Sequence, residues 1–349
     1  MAVSAKPQAQ HPQIRKPRSD DRPLWEIVFG VYGCPAVMLA HKLGLFPLLH
    51  QKPRTLDEIC SALGIAPRAA EAILAASTSL GFVRLNNGRF RLTPLSEDYL
   101  LPDSPTYFGS YFDIIIGNYA ACSIEAFEKA ARSGKPQVYG GEELFQTHEA
   151  KAELARAFTR AMHSMSMAAA LAWPERLDLS RHRVMLDVGG GSGAHAIAAT
   201  RRWPKLQAII LDLAPVCEVA REIVARQGPP GRIRTHTADM WKDPFPQADL
   251  HFYSCIFHDW PYDQCCFLAR KSFESLPSGG RIILHEVLYN DRKTGPFAAA
   301  AYSMIMLAWA TGRQYSGKEL KKILTDAGFV GIEIKPTFGY MSIVTGRKP

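Results

Sequence analysis

The segment Val184-Met-Leu-Asp-Val-Gly-Gly-Gly-Ser-Gly193 decides which fold is expected for this chain. An apolar run leads directly into a cluster of glycines, and a helical pattern follows. Glycines let the backbone turn tightly and approach a ligand without a Cβ clash, and the helix start offers unpaired N–H donors. A strand, a glycine loop and a helix in this order predict a cofactor site in an open α/β sheet, where ligands bind at the carboxyl ends of the strands.

Strand-like and helical segments alternate from Arg183 to the end of the chain. This alternation predicts a parallel sheet with helices on both faces, so we expect a doubly wound, Rossmann-like α/β domain over residues 179–349. The predicted strands are residues 184–188, 207–211, 232–236, 250–255, 281–284, 331–335 and 341–345.

Two acidic residues bear on the identity of the cofactor. Asp212 ends the second predicted strand, from which a carboxylate can hydrogen-bond ribose hydroxyls. The glycines alone leave the cofactor open, because Gly189-x-Gly191-x-x-Ala194 also fits the NAD pattern. Asp187 favours S-adenosylmethionine, since a carboxylate repels a pyrophosphate but can receive an ammonium group. A tight turn without a ligand is the remaining alternative.

The region before the sheet predicts a mostly helical winged-helix domain over residues 23–104. Helical patterns are followed by a hairpin over residues 82–92, whose Asn87-Gly88 pair suits a tight turn. The candidate recognition helix, residues 67–80, is alanine-rich and has one Arg and one Glu, whereas reading DNA requires several donors. We therefore expect a homodimerisation domain and no nucleic-acid partner.

The remaining regions and the bulk composition are less specific. Residues 1–22 are polar and basic and predict a disordered tail, and residues 105–178 predict a helical linker whose aromatic and Met residues form core or part of a substrate pocket. The seven cysteines include no Cys-x-x-Cys motif, which is typical of free thiols in a reducing compartment. With no run near the length of a membrane span, we expect a cytoplasmic protein without a membrane partner.

A second motif, Cys255-Ile-Phe-His-Asp-Trp260, follows the fourth predicted strand, at the same sheet edge as the glycine cluster. With it the chain resembles the small-molecule O-methyltransferases of the caffeate, flavonoid and N-acetylserotonin type, over nearly all residues after the tail. The other motifs that carry the resemblance are Asp187–Gly193, Asp212-Leu213, Ala238-Asp-Met-Trp241, Pro277-Ser-Gly-Gly280, Glu286 and the winged-helix region.

This resemblance implies S-adenosylmethionine as cofactor and a small aromatic acceptor. The glycine loop would hold the amino-acid end of the cofactor, Asp212 its ribose, and Asp239 and Met240 its adenine. The residues predicted to bind the cofactor are Asp187, Gly189, Gly191, Asp212, Leu213, Asp239, Met240 and Ser254.

The resemblance also implies that His258 is the general base and that Glu286 braces its imidazole, with Asp259 as an acidic neighbour. An ordinary histidine pKa of ~6.5 would leave much of this base neutral at pH 7. The predicted catalytic set is His258, Glu286, Asp259 and Gln314.

Two positions depart from the family pattern. Ser254 stands where Lys or Arg is frequent, four residues before His258. Gln314 stands where a second bracing Glu is frequent. Gln can orient a ring nitrogen through its oxygen but cannot stabilise imidazolium as a carboxylate does, so we expect a weaker base or a more acidic acceptor hydroxyl.

Other functions stay open at this stage. C- or N-methylation is one, and some such enzymes use iron. The doublets His258-Asp259 and His285-Glu286 could together ligate a metal, but alternation along a strand turns His285 away from the face of Glu286, so we expect none. A non-catalytic regulator would not need both His258 and the glycine cluster, and an NAD oxidoreductase does not account for Asp239-Met240.

Overall fold

The structure is a computed structural model that describes residues 16–138 and 151–349. It divides into two compact units after Thr93, whereas the sequence predicted a domain boundary after residue 104. Most of the predicted tail lies outside the described residues, as do residues 139–150 of the predicted linker. The first helix begins at Arg22.

The first unit has the predicted order of helices followed by a hairpin. A capping box begins the third helix: Thr55 Oγ1 accepts from Glu58 N–H, and the Glu58 carboxylate accepts from Thr55 N–H. Asn87 and Gly88 form the hairpin turn with φ of 48° and 73°. The elements are α1 (Arg22–Lys42), α2 (Leu45–Gln51), α3 (Leu56–Leu63), α4 (Pro67–Ser79), β1 (Val83–Asn86) and β2 (Arg89–Leu92).

Helix α1 is largely exposed although it is apolar. Its buried residues are Val37, Met38 and Ala40, while Ile27 is 73% and Tyr32 70% exposed. By length and composition alone, α1 could cross a membrane. The expectation that no run reaches the length of a membrane span was therefore wrong for this helix. One such helix near the N-terminus is weak grounds for a span, and an apolar exposed face equally suits a protein partner.

The second unit contains one mixed sheet of seven strands in the order β5-β4-β3-β6-β7-β9-β8. Strands β3 to β7 are parallel, and β9 runs antiparallel to both β7 and β8. The strands are β3 (Val184–Val188), β4 (Gln207–Asp212), β5 (Ile233–Thr237), β6 (Leu250–Ser254), β7 (Arg281–Val287), β8 (Val330–Pro336) and β9 (Met341–Arg347). The predicted α/β fold class is confirmed.

Helices cover this sheet and form the region before it. Strand β3 lies between β4 and β6, so the strand order reverses direction at β3. Such a reversal leaves a crevice at the carboxyl ends of these strands. Among the described residues of this unit, the α-helices are α5 (Pro94–Tyr99), α6 (Gly109–Gly117), α7 (Ile124–Ser133), α8 (Ala152–Ala172), α9 (Ala194–Arg202), α10 (Ala214–Gln227), α11 (Tyr262–Ser275), α12 (Phe297–Trp309) and α13 (Gly317–Asp326).

Alternation along the strands divides the core between the two faces of the sheet. On β7, Ile282 and Leu284 pack in one buried cluster, with Tyr253 and Phe257, while Ile283 packs in the other. The same alternation sends the next two side chains, His285 and Glu286, to opposite faces. The sequence predicted β7 to end at residue 284, but the observed strand runs to Val287 and so positions both groups.

Candidate active site

The glycine loop is tied to the end of the neighbouring strand β4. The backbone N–H groups of Gly189 and Gly190 lie 2.9 and 3.3 Å from Leu211 O. Asp212 Oδ2 accepts from Gly191 N–H at 2.8 Å, and its Oδ1 accepts from Leu213 N–H at 2.8 Å. Asp212 therefore organises the loop and, since each carboxylate oxygen has a further lone pair, can still accept from a ligand.

Two glycines of this loop are required by close packing. Gly189 has φ +63°, and a Cβ there would lie 2.5 Å from Ile256 Cδ1. A Cβ at Gly190 would lie 2.8 Å from Asp187 Cγ. The positive φ at Gly189 and the closeness of the Asp187 backbone oxygen at Gly190 disfavour side chains here, so the loop brings bare backbone up to the end of β3, as a cofactor cradle requires.

Asp187 fits a cationic ligand. Its side chain is 1% exposed, and its Oδ2 has no hydrogen-bond partner among residues 16–138 and 151–349. Burial, and then the charge of Asp212, raise the pKa of Asp187 to about 8. A buried carboxyl oxygen without a partner is costly, and the ammonium group of S-adenosylmethionine would satisfy it.

The pKa of Asp212 is perturbed as well. Burial raises it to about 6, although the N–H donors of Gly191 and Leu213 favour the ionised form. Hydroxyl donors from a bound ribose would act in the same direction as these N–H groups.

The segment predicted for adenine lies beside Asp212. Ala238 N–H donates to Asp212 O at 3.1 Å. Both carboxylate oxygens of Asp239 are engaged, one with Trp241 N–H and one with Lys242 Nζ, each at 2.8 Å. Lys242 is 82% exposed, so this ion pair is weak and would not prevent a ligand from binding. Met240 is partly buried against the core.

Glu286 holds the loop that carries His258. The chain leaves β6 at Cys255, which has φ +55°, and forms a short 3₁₀ turn over Phe257–Asp259. Glu286 Oε1 accepts from Ile256 N–H at 3.2 Å and from Phe257 N–H at 3.0 Å. The sequence predicted a strand through residue 255, but it ends at Ser254.

The imidazole of His258 is buried between two carboxylates. Its Nδ1 lies 2.9 Å from Glu286 Oε2, and its Nε2 lies 3.5 Å from Asp259 Oδ1. Burial lowers the pKa of His258, but the charges of Glu286 and Asp259 outweigh burial and raise it to about 9. The expectation of an ordinary pKa near 6.5 was therefore wrong, because it used the reference value and did not weigh the charges of Glu286 and Asp259 against burial.

Gln314 does not make the predicted brace. Its side chain is 1% exposed, yet neither amide atom has a hydrogen-bond partner in the described part of the chain. Its backbone N–H donates to Ser303 Oγ at 3.4 Å. The carboxylates beside the imidazole are those of Glu286 and Asp259, as predicted, whereas Gln314 makes no hydrogen bond to it.

Ser254 is engaged elsewhere. Its Oγ lies 3.1 Å from His285 Nδ1, and His285 Nε2 lies 3.0 Å from Thr337 Oγ1. The contact of Ser254 with the cofactor stays a prediction.

His285 faces away from Glu286, so the two His-acid doublets do not form one metal site. A different group, Cys255, His258 and Glu286, has ligand atoms within 4.8 Å of one another.

Aromatic and sulfur-containing side chains surround His258. The Tyr302 ring on α12 lies edge-on to the imidazole at 5.0 Å, and its hydroxyl lies 3.8 Å from Met165 Sδ and 4.0 Å from Cys255 Sγ. Burial, with the Cys255 thiol nearby, raises the pKa of Tyr111 on α6 to about 12. The sequence analysis did not identify Tyr302, because only packing brings α12 to the imidazole.

A second contact that the sequence did not reveal supports the glycine loop. His163 Nδ1 on α8 lies 2.8 Å from Ser192 Oγ. Burial, and then the charge of Arg226, lower the pKa of His163 to about 4, so its ring is neutral at pH 7. This contact fastens α8 to the loop.

Comparisons with known proteins identify the family and the fold. The O-methyltransferase domain family matches residues 125–330, and the O-methyltransferase dimerisation domain matches residues 25–102. The chain is 34% identical over 308 residues to 3-hydroxy-5-methyl-1-naphthoate 3-O-methyltransferase of Streptomyces sahachiroi, covering 87% of this chain and 88% of that protein. It is 29% identical over 338 residues to L-tyrosine C(3)-methyltransferase of Streptomyces lavendulae, covering 94% and 91%.

A solved structure is similar over nearly the full length. Human N-acetylserotonin methyltransferase in complex with S-adenosylmethionine superposes with a TM-score of 0.83 at 25% identity, covering 96% of this chain and 99% of that one.

Proposed function

Because the chain belongs to the O-methyltransferase family and is an S-adenosylmethionine-dependent methyltransferase, we propose that it methylates a hydroxyl of a small aromatic molecule, with His258 as the general base. The observation that carries this proposal is the buried imidazole of His258, 2.9 Å from Glu286 and edge-on to Tyr302. His258 follows strand β6, and β6 is the neighbour of β3, the strand whose glycine loop fits the cofactor.

The proposed division of roles follows from the contacts. The bound cofactor supplies an electrophilic methyl group on a sulfonium centre, held by the glycine loop, Asp187 and Asp212. Glu286 beside Nδ1 favours a proton on that nitrogen, which leaves Nε2 to take the acceptor's hydroxyl proton. Positioning the two reactants supplies up to ~7–11 kcal/mol of the barrier reduction in well-oriented cases.

The raised pKa of His258 suits a phenolic acceptor. A phenol titrates near ~10, so an imidazole with a pKa of about 9 takes its proton at a cost of about 1 kcal/mol, against about 5 kcal/mol for an ordinary histidine. The opposing cost is that only about one imidazole in a hundred is neutral at pH 7 in the cofactor-free protein. Because only the neutral imidazole can accept a proton, we expect the activity to increase with pH.

An aromatic acceptor is supported by the groups around the imidazole. Tyr302 and Tyr111 offer flat rings, and Met165 offers an adaptable apolar contact. The similar enzymes act, by their names, on a hydroxynaphthoate and on N-acetylserotonin.

We also propose that the protein acts in bacterial-type secondary metabolism and that it is cytoplasmic. The seven free cysteines are in keeping with a reducing compartment.

A second candidate is methylation at carbon. It is favoured by the similarity to an L-tyrosine C(3)-methyltransferase, in which the ring carbon next to a phenolic hydroxyl is the named position. A phenolate formed by His258 would activate either atom. The product's NMR spectrum separates the two reactions, because an O-methyl and a ring C-methyl have different shifts and couplings.

The first experiment is an acceptor screen. Purified protein with S-adenosylmethionine is tested for release of S-adenosylhomocysteine against a phenol, quinone and indole library. We expect release with a subset of phenols. Cofactor binding without turnover on any member would favour a non-catalytic regulator instead.

We further propose that the protein is a homodimer that pairs through the exposed face of α1, which lies within the matched dimerisation domain. Ile27 and Val31 lie one helical turn apart and are 73% and 61% exposed. Sedimentation of the wild type is expected to show a dimer, and Ile27→Glu with Val31→Glu a monomer. A wild-type monomer, or flotation of the protein with phosphatidylcholine vesicles, would contradict this assignment.

A further inference from the structure

The side-chain carboxamide of Gln314 makes no hydrogen bond within the described residues, although the backbone next to it is anchored. Its neighbour Tyr315 donates from its hydroxyl to Trp260 O at 2.8 Å, and Tyr315 O accepts from Tyr289 N–H at 3.0 Å. The backbone of Gln314 is therefore fixed, while both its Oε1 and its Nε2 are buried with no partner among the described residues. Leaving a buried amide unsatisfied costs about 1–3 kcal/mol for each group, so a bound molecule that pairs with it gains stabilisation.

The surroundings of Gln314 belong to the site of His258. Gly312 packs so closely on the catalytic loop that a Cβ there would lie 2.2 Å from His258 O and 2.3 Å from Trp260 N. Ser303, which accepts from Gln314 N–H, directly follows Tyr302, whose ring contacts the imidazole. The backbone at and next to Gln314 therefore contacts the loop that carries His258 and the helix that carries Tyr302.

We propose that Gln314 is a specificity-determining residue whose NH₂ group donates a hydrogen bond to a carboxylate or carbonyl oxygen on the ring of the acceptor. The substrate class is then an aromatic hydroxy acid or hydroxy amide rather than a simple phenol. This inference rests on the proposed function. A neutral donor is needed here because Glu286 and Asp259 already place two carboxylates around His258, and a third acid at position 314 would repel an anionic substituent.

The test compares three probes with the same ring system: 2-naphthol, 3-hydroxy-2-naphthoate and 3-hydroxy-2-naphthamide. Wild type, Gln314→Leu and Gln314→Glu are assayed for kcat and KM. Binding of each probe to the S-adenosylhomocysteine complex is measured in parallel by naphthol fluorescence, which requires no turnover.

The expected pattern distinguishes three roles for Gln314. Wild type should prefer both carbonyl probes to 2-naphthol by about ten- to a hundredfold in kcat/KM, and Gln314→Leu should abolish this preference mainly through KM. Gln314→Glu should lose the naphthoate but retain the naphthamide, whose NH₂ can donate to the new carboxylate. An equal loss on all three probes would indicate a structural role, and an equal gain in kcat with Glu would indicate a brace for His258; either result overturns the proposal.

Binding and turnover separate this inference from the function on which it rests. If the probes bind with the expected selectivity but none is methylated, the acceptor-binding role of Gln314 stands and the proposed hydroxyl methylation fails. If 2-naphthol is methylated as well as the other two by wild type, methylation stands and the specificity role is overturned. Failure of all three probes to bind the wild type also overturns it.

Discussion

Replacing Glu286 with Gln should move the pH dependence of the reaction toward acid. The substitution removes one charge and keeps the loop contacts, because the Gln oxygen can still accept from the N–H groups of Ile256 and Phe257, which now bond to Glu286 Oε1. The loop geometry should therefore persist. The Gln NH₂ group then faces His258 Nδ1 and, as a donor, favours the neutral tautomer that carries its proton on Nε2. What is lost is the carboxylate 2.9 Å from His258 Nδ1.

The size of the effect follows from the opposing contributions at His258. Burial lowers its pKa, and the charges of Glu286 and Asp259 together raise it to about 9. Without Glu286, the more distant Asp259 alone opposes burial, so we expect the pKa to fall to its ordinary value of ~6.5 or below. That change corresponds to about 3 kcal/mol less stabilisation of the imidazolium.

The direction of the pH dependence follows from the proposal that the neutral imidazole ring is the base. In the wild type, kcat/KM should increase with pH up to about 9 and then level off. In Glu286→Gln the rising limb should shift by about 2.5 pH units or more toward acid. The plateau should be lower because the base is weaker and because the neutral tautomer with a free Nε2 is no longer favoured. Initial rates between pH 6 and 10 measure both features, and proton NMR of the cofactor-free protein, with the His258 signal assigned from His258→Asn, measures the pKa directly.

Glu333→Gln serves as the matched control. Glu333 pairs with Lys335 on the exposed strand β8, so its loss should leave both the profile and the His258 titration unchanged. A wild-type His258 that titrates at or below ~6.5, or a Glu286→Gln profile that coincides with the wild type, would refute the electrostatic reasoning.

Three further results are expected. His258→Ala should retain cofactor affinity in calorimetry and lose at least about a hundredfold in kcat, and an unchanged kcat would mean that positioning alone drives methyl transfer. Asp212→Ala should weaken S-adenosylmethionine binding by about tenfold or more, because it removes an acceptor for ribose and releases Gly191 N–H, and wild-type affinity would exclude the ribose role. Dialysis against EDTA should leave activity unchanged; a loss restored by a divalent ion would instead assign a metal to Cys255, His258 and Glu286.

The sequence was sufficient for features that depend on neighbouring residues. The glycine cluster after β3 and the Asn87-Gly88 turn are set by local backbone conformation, and both appear in the structure where the residues predict them. Alternation of strands and helices was likewise enough for the α/β class, because covering both faces of a parallel sheet requires it. Strand alternation also separated His285 from Glu286 correctly.

What depends on distant parts of the chain could not be read from the sequence. Tyr302 reaches His258 only because α12 packs against the loop that carries His258, and His163 meets Ser192 only because α8 packs against the glycine loop.

The sequence by itself determined which residues are candidates for binding a cofactor and for acting as a base, since these follow from local backbone geometry and residue chemistry. Only the tertiary structure decided how strong that base is and what Gln314 can do. The pKa of His258 depends on burial and on Glu286, which reaches it from another strand, and Gln314 is left without a partner by packing that no local pattern records. Electrostatic and hydrogen-bond energies depend on distances between atoms, and the fold alone sets those distances.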